Sequence, residues 1–99
     1  MSEPQTPEQA QGQPLNIKIG DEELKGRYSN LLRITHTREE FILDFINLVP
    51  PQGMVCARIV TSPGHMKRIV RALAANLTRY EEAFGTIVEA QEPAADSVH

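Results

Sequence analysis

The run Phe41-Ile42-Leu43-Asp44-Phe45-Ile46-Asn47-Leu48-Val49 constrains this chain more than any other stretch. Its β-branched and aromatic content, and the Pro50-Pro51-Gln52-Gly53 turn signal that follows, predict a strand and not a helix. Alternation puts Phe41, Leu43, Phe45 and Val49 on one side and Ile42, Ile46 and Leu48 on the other, with Asp44 among the second set. An antiparallel strand usually keeps one face wet. Here both faces are apolar, so the strand is expected to be covered twice. A helix of the same chain would cover one face, and a partner subunit or the other half of a curled sheet the other. Ile42, Ile46 and Leu48 are therefore the candidate apolar contact surface.

The flanking sequence supplies the rest of a sheet. Leu15, Ile17 and Ile19 alternate with Asn16 and Lys18, the period-2 mark of a strand, and Gly20 ends it. After a polar connection over residues 21–26, residues 27–36 predict a second strand, with Tyr28, Asn30, Leu32, Ile34 and His36 sharing one face. A short turn through Thr37, Arg38 and Glu39 leads into the apolar run, and Met54 to Thr61 reads as a fourth strand. A helix follows. Ser62 is a good N-cap and Pro63 suits the first helical position, where its missing N–H is not needed. Met66, Ile69, Val70, Leu73, Leu77, Tyr80 and Phe84 recur at steps of three and four and make one apolar stripe. Gly85 closes the helix, and Ile87 and Val88 are expected to fold back as a hydrophobic clip. The predicted fold is α+β: a four-stranded antiparallel β-meander followed by one long C-terminal amphipathic helix packed on the sheet.

Residues 1–14, with Pro4, Pro7, Pro14 and repeated glutamines, and residues 89–99, which are acidic, hold too little apolar surface to offset the entropy of ordering. They are expected to be disordered tails around a single domain over residues 15–88. A domain of that size buries only about 60% of its unfolded surface and is marginal alone, so a homo-oligomer, a dimer or higher, is expected. The net charge of −3 gives no general attraction to nucleic acid or anionic membrane. No apolar run approaches the roughly 20 residues of a membrane span. No basic-then-apolar signal opens the chain. The single cysteine fits a reducing compartment, and cytoplasm is the expected location.

Tyr28-Ser29-Asn30, His36, Glu40-Phe41, Asp44-Phe45, Pro50, Arg58-Ile59, Ser62-Pro63, His65, Lys67, Leu73, Asn76, Tyr80-Glu81 and Phe84-Gly85, in this order, resemble the family catalogued as domain of unknown function 3467. The resemblance covers roughly residues 15–88 and implies a short bacterial or archaeal protein with variable tails. Gly64 and Met66 depart from its pattern, where a better helix former and a smaller residue are expected. The family name implies no activity. The expected architecture is also similar to that of the SecB export chaperones, a likeness of fold that carries little functional weight.

No residue set forms an enzyme site, so the chain is expected to be non-catalytic, without metal or cofactor. His36, His65, His99 and Cys56 have no ligand-type spacing. Cys56 reads as a small apolar strand residue, and Ser62 is explained by capping. Asp44, alone among apolar neighbours, reads either as a buried acid or base with a raised pKa or as the partner of Arg33 or Arg58 on neighbouring strands; buried charges are usually paired. Tyr28-Ser29-Asn30 reads as an anchor that ties a loop to backbone. Lys67, Arg68 and Arg71, with Arg79 further on, oppose the helix dipole and call for anionic company. Salt bridges to Glu22, Glu23, Asp44 or a second subunit, an acidic protein, or nucleic-acid phosphates would each supply it. The leading expectation is an oligomeric protein-interaction module, chaperone- or adaptor-like, that binds another protein. The alternative is a small nucleic-acid-binding accessory protein that uses the basic face of the helix.

Overall fold

A computed structural model describes residues 14–93; of the expected tails over residues 1–14 and 89–99, residues 1–13 and 94–99 lie outside the described residues. A short helix α1 (Asp21–Lys25) is followed by strands β1 (Leu31–His36), β2 (Phe41–Val49) and β3 (Gln52–Thr61) and a long helix α2 (Pro63–Phe84). The strands form one antiparallel sheet in the order β1-β2-β3, with the apolar run at its centre as β2. Opposite residues include Leu31 and Ile46, Arg33 and Asp44, and Ile34 and Leu43 on one side. On the other, Leu43 faces Ile59, Asp44 faces Arg58 and Phe45 faces Ala57. The register then slips by one, so that Ile46 faces Val55 and Cys56 is the extra residue of a bulge.

Among the described residues the sheet has three strands, and the expected fourth is missing from it: residues 15–19 belong to no strand and pair with none. The cause lies in the anchor before β1. The Asn30 backbone N–H donates to the Ile46 carbonyl at 3.0 Å. The Asn30 side chain donates to the Leu48 carbonyl at 2.9 Å and accepts from the Leu48 N–H at 2.8 Å. Ser29 Oγ lies 3.1 Å from the Ile46 carbonyl oxygen, and the Cys56 thiol reaches the carbonyls of Tyr28 and Phe45 at 3.5 and 3.1 Å. These bonds draw the incoming chain across the end of the sheet towards β3, where α1 flanks Cys56–Ile59. Residues 15–19 are thus not delivered to the edge of β1.

Helix α2 has the expected bounds. Ser62 is extended, and its Oγ accepts from the His65 N–H at 3.2 Å. Pro63 opens the helix, so Gly64 is tolerated in the first turn. Gly85 stops it at φ 97°, a left-handed conformation open to glycine without strain, with its N–H on the Glu81 carbonyl. Ser62→Ala should cost about 1 kcal/mol of unfolding free energy, read from urea denaturation, because it strips one N-terminal donor of its acceptor.

What α2 does not do is cover the sheet. The extensive packing is between strands, β1 with β2 and β2 with β3. Only Met66 and Ile69, in the first two turns, are half-buried; Leu73 is 61% and Phe84 76% exposed. The expected clip is not formed either, since Val88 is exposed. Among the described residues the apolar core is correspondingly small: Leu43 and Ile46, with Asp44 between them in sequence.

Candidate interaction surface

Asp44 is 2% exposed at the centre of the sheet, and both neighbouring strands place an arginine directly opposite it. Arg58 grips it with two bonds, Nε to Oδ1 at 2.7 Å and Nη2 to Oδ2 at 2.9 Å. Arg33 Nη2 adds a third at 3.3 Å. The Arg58 hydrogen bond pulls the carboxyl from 3.8 down to about 2; burial opposes this, and Arg33 reinforces it. The same contact raises the Arg58 pKa. Asp44 is thus a paired carboxylate. A group held ionised this firmly is a poor proton donor or acceptor near neutrality.

Of the remaining polar candidates, His36, Cys56 and Tyr28-Ser29-Asn30 have structural partners. The His36 ring lies 5.3 Å from that of Phe41, its cross-strand neighbour. His65 is exposed in the first turn of α2, and His99 lies outside the described residues. Cys56 occupies the bulge and donates its weak S–H to backbone carbonyls. Tyr28-Ser29-Asn30 is the anchor described above. Among the described residues no three potential ligands gather as a metal group.

The apolar candidates divide. Ile46 is a core residue, 8% exposed, because Leu31 and Val55 flank it in register. Ile42 and Leu48 are half-buried on the same strand. The open apolar surface lies elsewhere, on α2. Val70, Leu73, Leu77, Tyr80 and Phe84 are each at least half exposed. At 1.5 Å per residue the stripe from Met66 to Phe84 is about 27 Å long. Tyr80 and Phe84, one turn apart, pack ring on ring with centroids at 5.0 Å. The sheet adds a second open patch, Leu32 and Ile34 on β1 with Ile59 on β3, all on the side of Leu43. The sequence marks the α2 stripe clearly but as a core face; its half-exposed state is what makes it a candidate surface.

On the opposite side of α2, Lys67, Arg68, Arg71 and Arg79 are all exposed. Two of the carboxylates expected to neutralise them, Asp44 and Glu22, are engaged elsewhere, and the third, Glu23, forms no ion pair with them. Asp44 holds Arg33 and Arg58, while Glu22 holds Lys25 at 3.1 Å and reaches Arg27 at 4.0 Å. Among the described residues, none of the four α2 cations is in an ion pair. The helix therefore presents two opposed faces, one apolar and one cationic.

A family model described as "Protein of unknown function (DUF3467)" matches residues 1–89. No curated protein and no solved structure matches the chain.

Proposed function

Since the chain belongs to the DUF3467 family, whose description assigns no activity, we propose from its surfaces that it is a non-catalytic, self-associating protein-interaction module of the cytoplasm, adaptor- or chaperone-like in use. The observation that carries this reading is the exposed α2 stripe. An isolated soluble chain seldom leaves a contiguous apolar row of this length in water. A helix with i, i+3, i+4 and i+7 apolar anchors is a standard docking element for a groove or another helix. No helix among the described residues is long and apolar enough to cross a membrane.

The unpaired cations favour a second reading, in which Lys67, Arg68, Arg71 and Arg79 track the phosphates of a nucleic acid. Affinity capture of the tagged full-length chain at low salt, with half of the lysate treated with nuclease, separates the two. The interaction reading expects one defined protein retained in both halves and lost when Leu73 is made aspartate. The nucleic-acid reading expects nucleic acid that elutes as salt rises. It also expects Arg68→Glu with Arg71→Glu to remove that binding by at least about tenfold while the fold persists. Retention of nucleic acid by that double variant would exclude the basic face.

A further inference from the structure

Residues 15–19 have the sequence of a strand and no ladder to join. Leu15, Ile17 and Ile19 are exposed, Ile17 at 87%, and no backbone hydrogen bond ties residues 15–19 to the sheet among the described residues. Five residues in which three large apolar side chains alternate with polar ones are a poor solvated loop. They are a good edge strand.

An edge of matching form exists. The Thr37 N–H donates to the Glu40 carbonyl at 2.9 Å, which makes Thr37 and Glu40 a hydrogen-bonded pair in the β1–β2 register. Antiparallel pairs alternate. Thr35 with Ile42, Arg33 with Asp44 and Leu31 with Ile46 are therefore bonded pairs, and Leu32, Ile34 and His36 turn their backbone N–H and C=O outward. The β1–β2 ladder runs without a bulge, unlike the β2–β3 ladder. The C-terminal segment comes near its first end, where Ala90–Pro93 lie by Asn30–Leu32, and among the described residues no backbone hydrogen bond from outside the ladder reaches Leu32, Ile34 or His36. The outward row and the apolar side chains Leu32 and Ile34 belong to the same residues, so an added strand with its apolar side towards them extends the open patch.

The chain's own residues 15–19 do not fill this place. The anchor at Ser29 and Asn30 sends the preceding chain towards β3, at the far side of the sheet. We propose that residues 15–19 are an exchanged strand: they pair with the outward edge of β1 in a second copy of this chain, whose own residues 15–19 pair back. A two-fold pair satisfies both orphans at once. It also restores the fourth strand that the sequence pattern calls for.

The two surfaces match a second copy of this chain. Each copy offers the exposed apolar side chains Leu15, Ile17 and Ile19 and holds the exposed Leu32 and Ile34 on β1 to receive them, so the same pair of surfaces meets twice across a two-fold axis.

This inference rests on the self-associating reading above, and one experiment separates the two. Amide hydrogen exchange of the full-length chain is followed across a concentration series in which sedimentation reports the oligomer. The expected result is protection of Ile17 and Ile19, whose N–H groups face β1 in an antiparallel pairing that sets their side chains beside Leu32 and Ile34, and of Leu32 and Ile34 themselves; it appears only with the dimer and slows exchange by at least about tenfold, while Asn16 and Lys18 on the new outer edge stay fast. Ile17→Pro, at a position with no bonds to lose in the single chain, should weaken dimerisation by about a hundredfold with the circular dichroism spectrum unchanged. A dimer whose Ile17 and Ile19 exchange as fast as in the monomer overturns the exchanged strand and leaves self-association standing. So does protection of Ile17 and Ile19 without Leu32 and Ile34, or an unaltered dimer in Ile17→Pro. A chain that stays monomeric throughout overturns both.

Discussion

Leu73→Asp combined with Leu77→Asp is expected to convert the self-associated protein into a folded monomer, weakening association by at least about a thousandfold. Both residues lie on the exposed stripe of α2, at 61% and 55% exposure. In the single chain their loss removes little packing, and the cost is confined to helix propensity, less than about 1 kcal/mol per site. In an assembly that covers the stripe the cost is of another order. Each protomer then buries two carboxylates with no cation placed to receive them, because Lys67, Arg68, Arg71 and Arg79 lie on the far side of the helix. Burying an unpaired carboxylate costs several kcal/mol after relaxation, and about 4 kcal/mol in total already gives the thousandfold change. Light scattering and sedimentation report the mass, and far-ultraviolet circular dichroism reports the helix. A double variant that still assembles would show that the stripe is not the contact. Leu73→Ala, which keeps the helix and removes only part of the apolar surface, should give a smaller shift in the same direction.

The elements that could be read from the sequence are those whose causes are local. Ser62, Pro63 and Gly85 bound α2 because capping geometry depends on a few neighbouring residues. Phe41–Val49 declares itself a strand by its composition, and its central place follows from having two apolar faces. Pairing of Asp44 with Arg33 or Arg58 follows from the order of strands in a meander, and the structure gives it both. What misled was long-range. Alternation in residues 15–19 specifies a strand but not the edge it joins, and that is decided by the anchor of Ser29 and Asn30 on Ile46 and Leu48. The periodicity of α2 says that its stripe must be covered and is silent on what covers it. Ile46 looked like an interface residue because alternation assigns it a face, yet cannot show that Leu31 and Val55 already flank it.

Asp44→Asn is expected to be the most damaging conservative change in the sheet, lowering the unfolding midpoint by on the order of 10 °C in a domain this small. The amide keeps the shape of the side chain but removes the only anion between two arginines on adjoining strands. Arg58 loses its charge-assisted fork at 2.7 and 2.9 Å, and Arg33 loses its contact at 3.3 Å. The pH dependence carries the sign. The folded carboxyl titrates at about 2, below its ordinary 3.8, chiefly through the Arg58 hydrogen bond. Between these values the unfolded chain binds the proton more readily than the folded one, so stability rises with pH. The contribution of Asp44 is therefore complete above roughly pH 4–5 and is lost as the pH falls towards 2. Wild type and Asp44→Asn should differ most near neutrality and converge in acid. Melting curves of both proteins from pH 2 to 7 test this, and a gap that stays constant down to pH 2 would refute it. The cluster also bears on register. A two-residue slip keeps every side chain on its face but sets Asp44 against Leu31 or Thr35 on β1, stranding all three charges. Replacing the three together by apolar residues of similar size should recover much of the midpoint while loosening that choice. Slipped pairing would then appear as added conformers in the amide spectrum of β1, and a single set of β1 amides in that triple variant would show that the apolar pattern alone fixes the register.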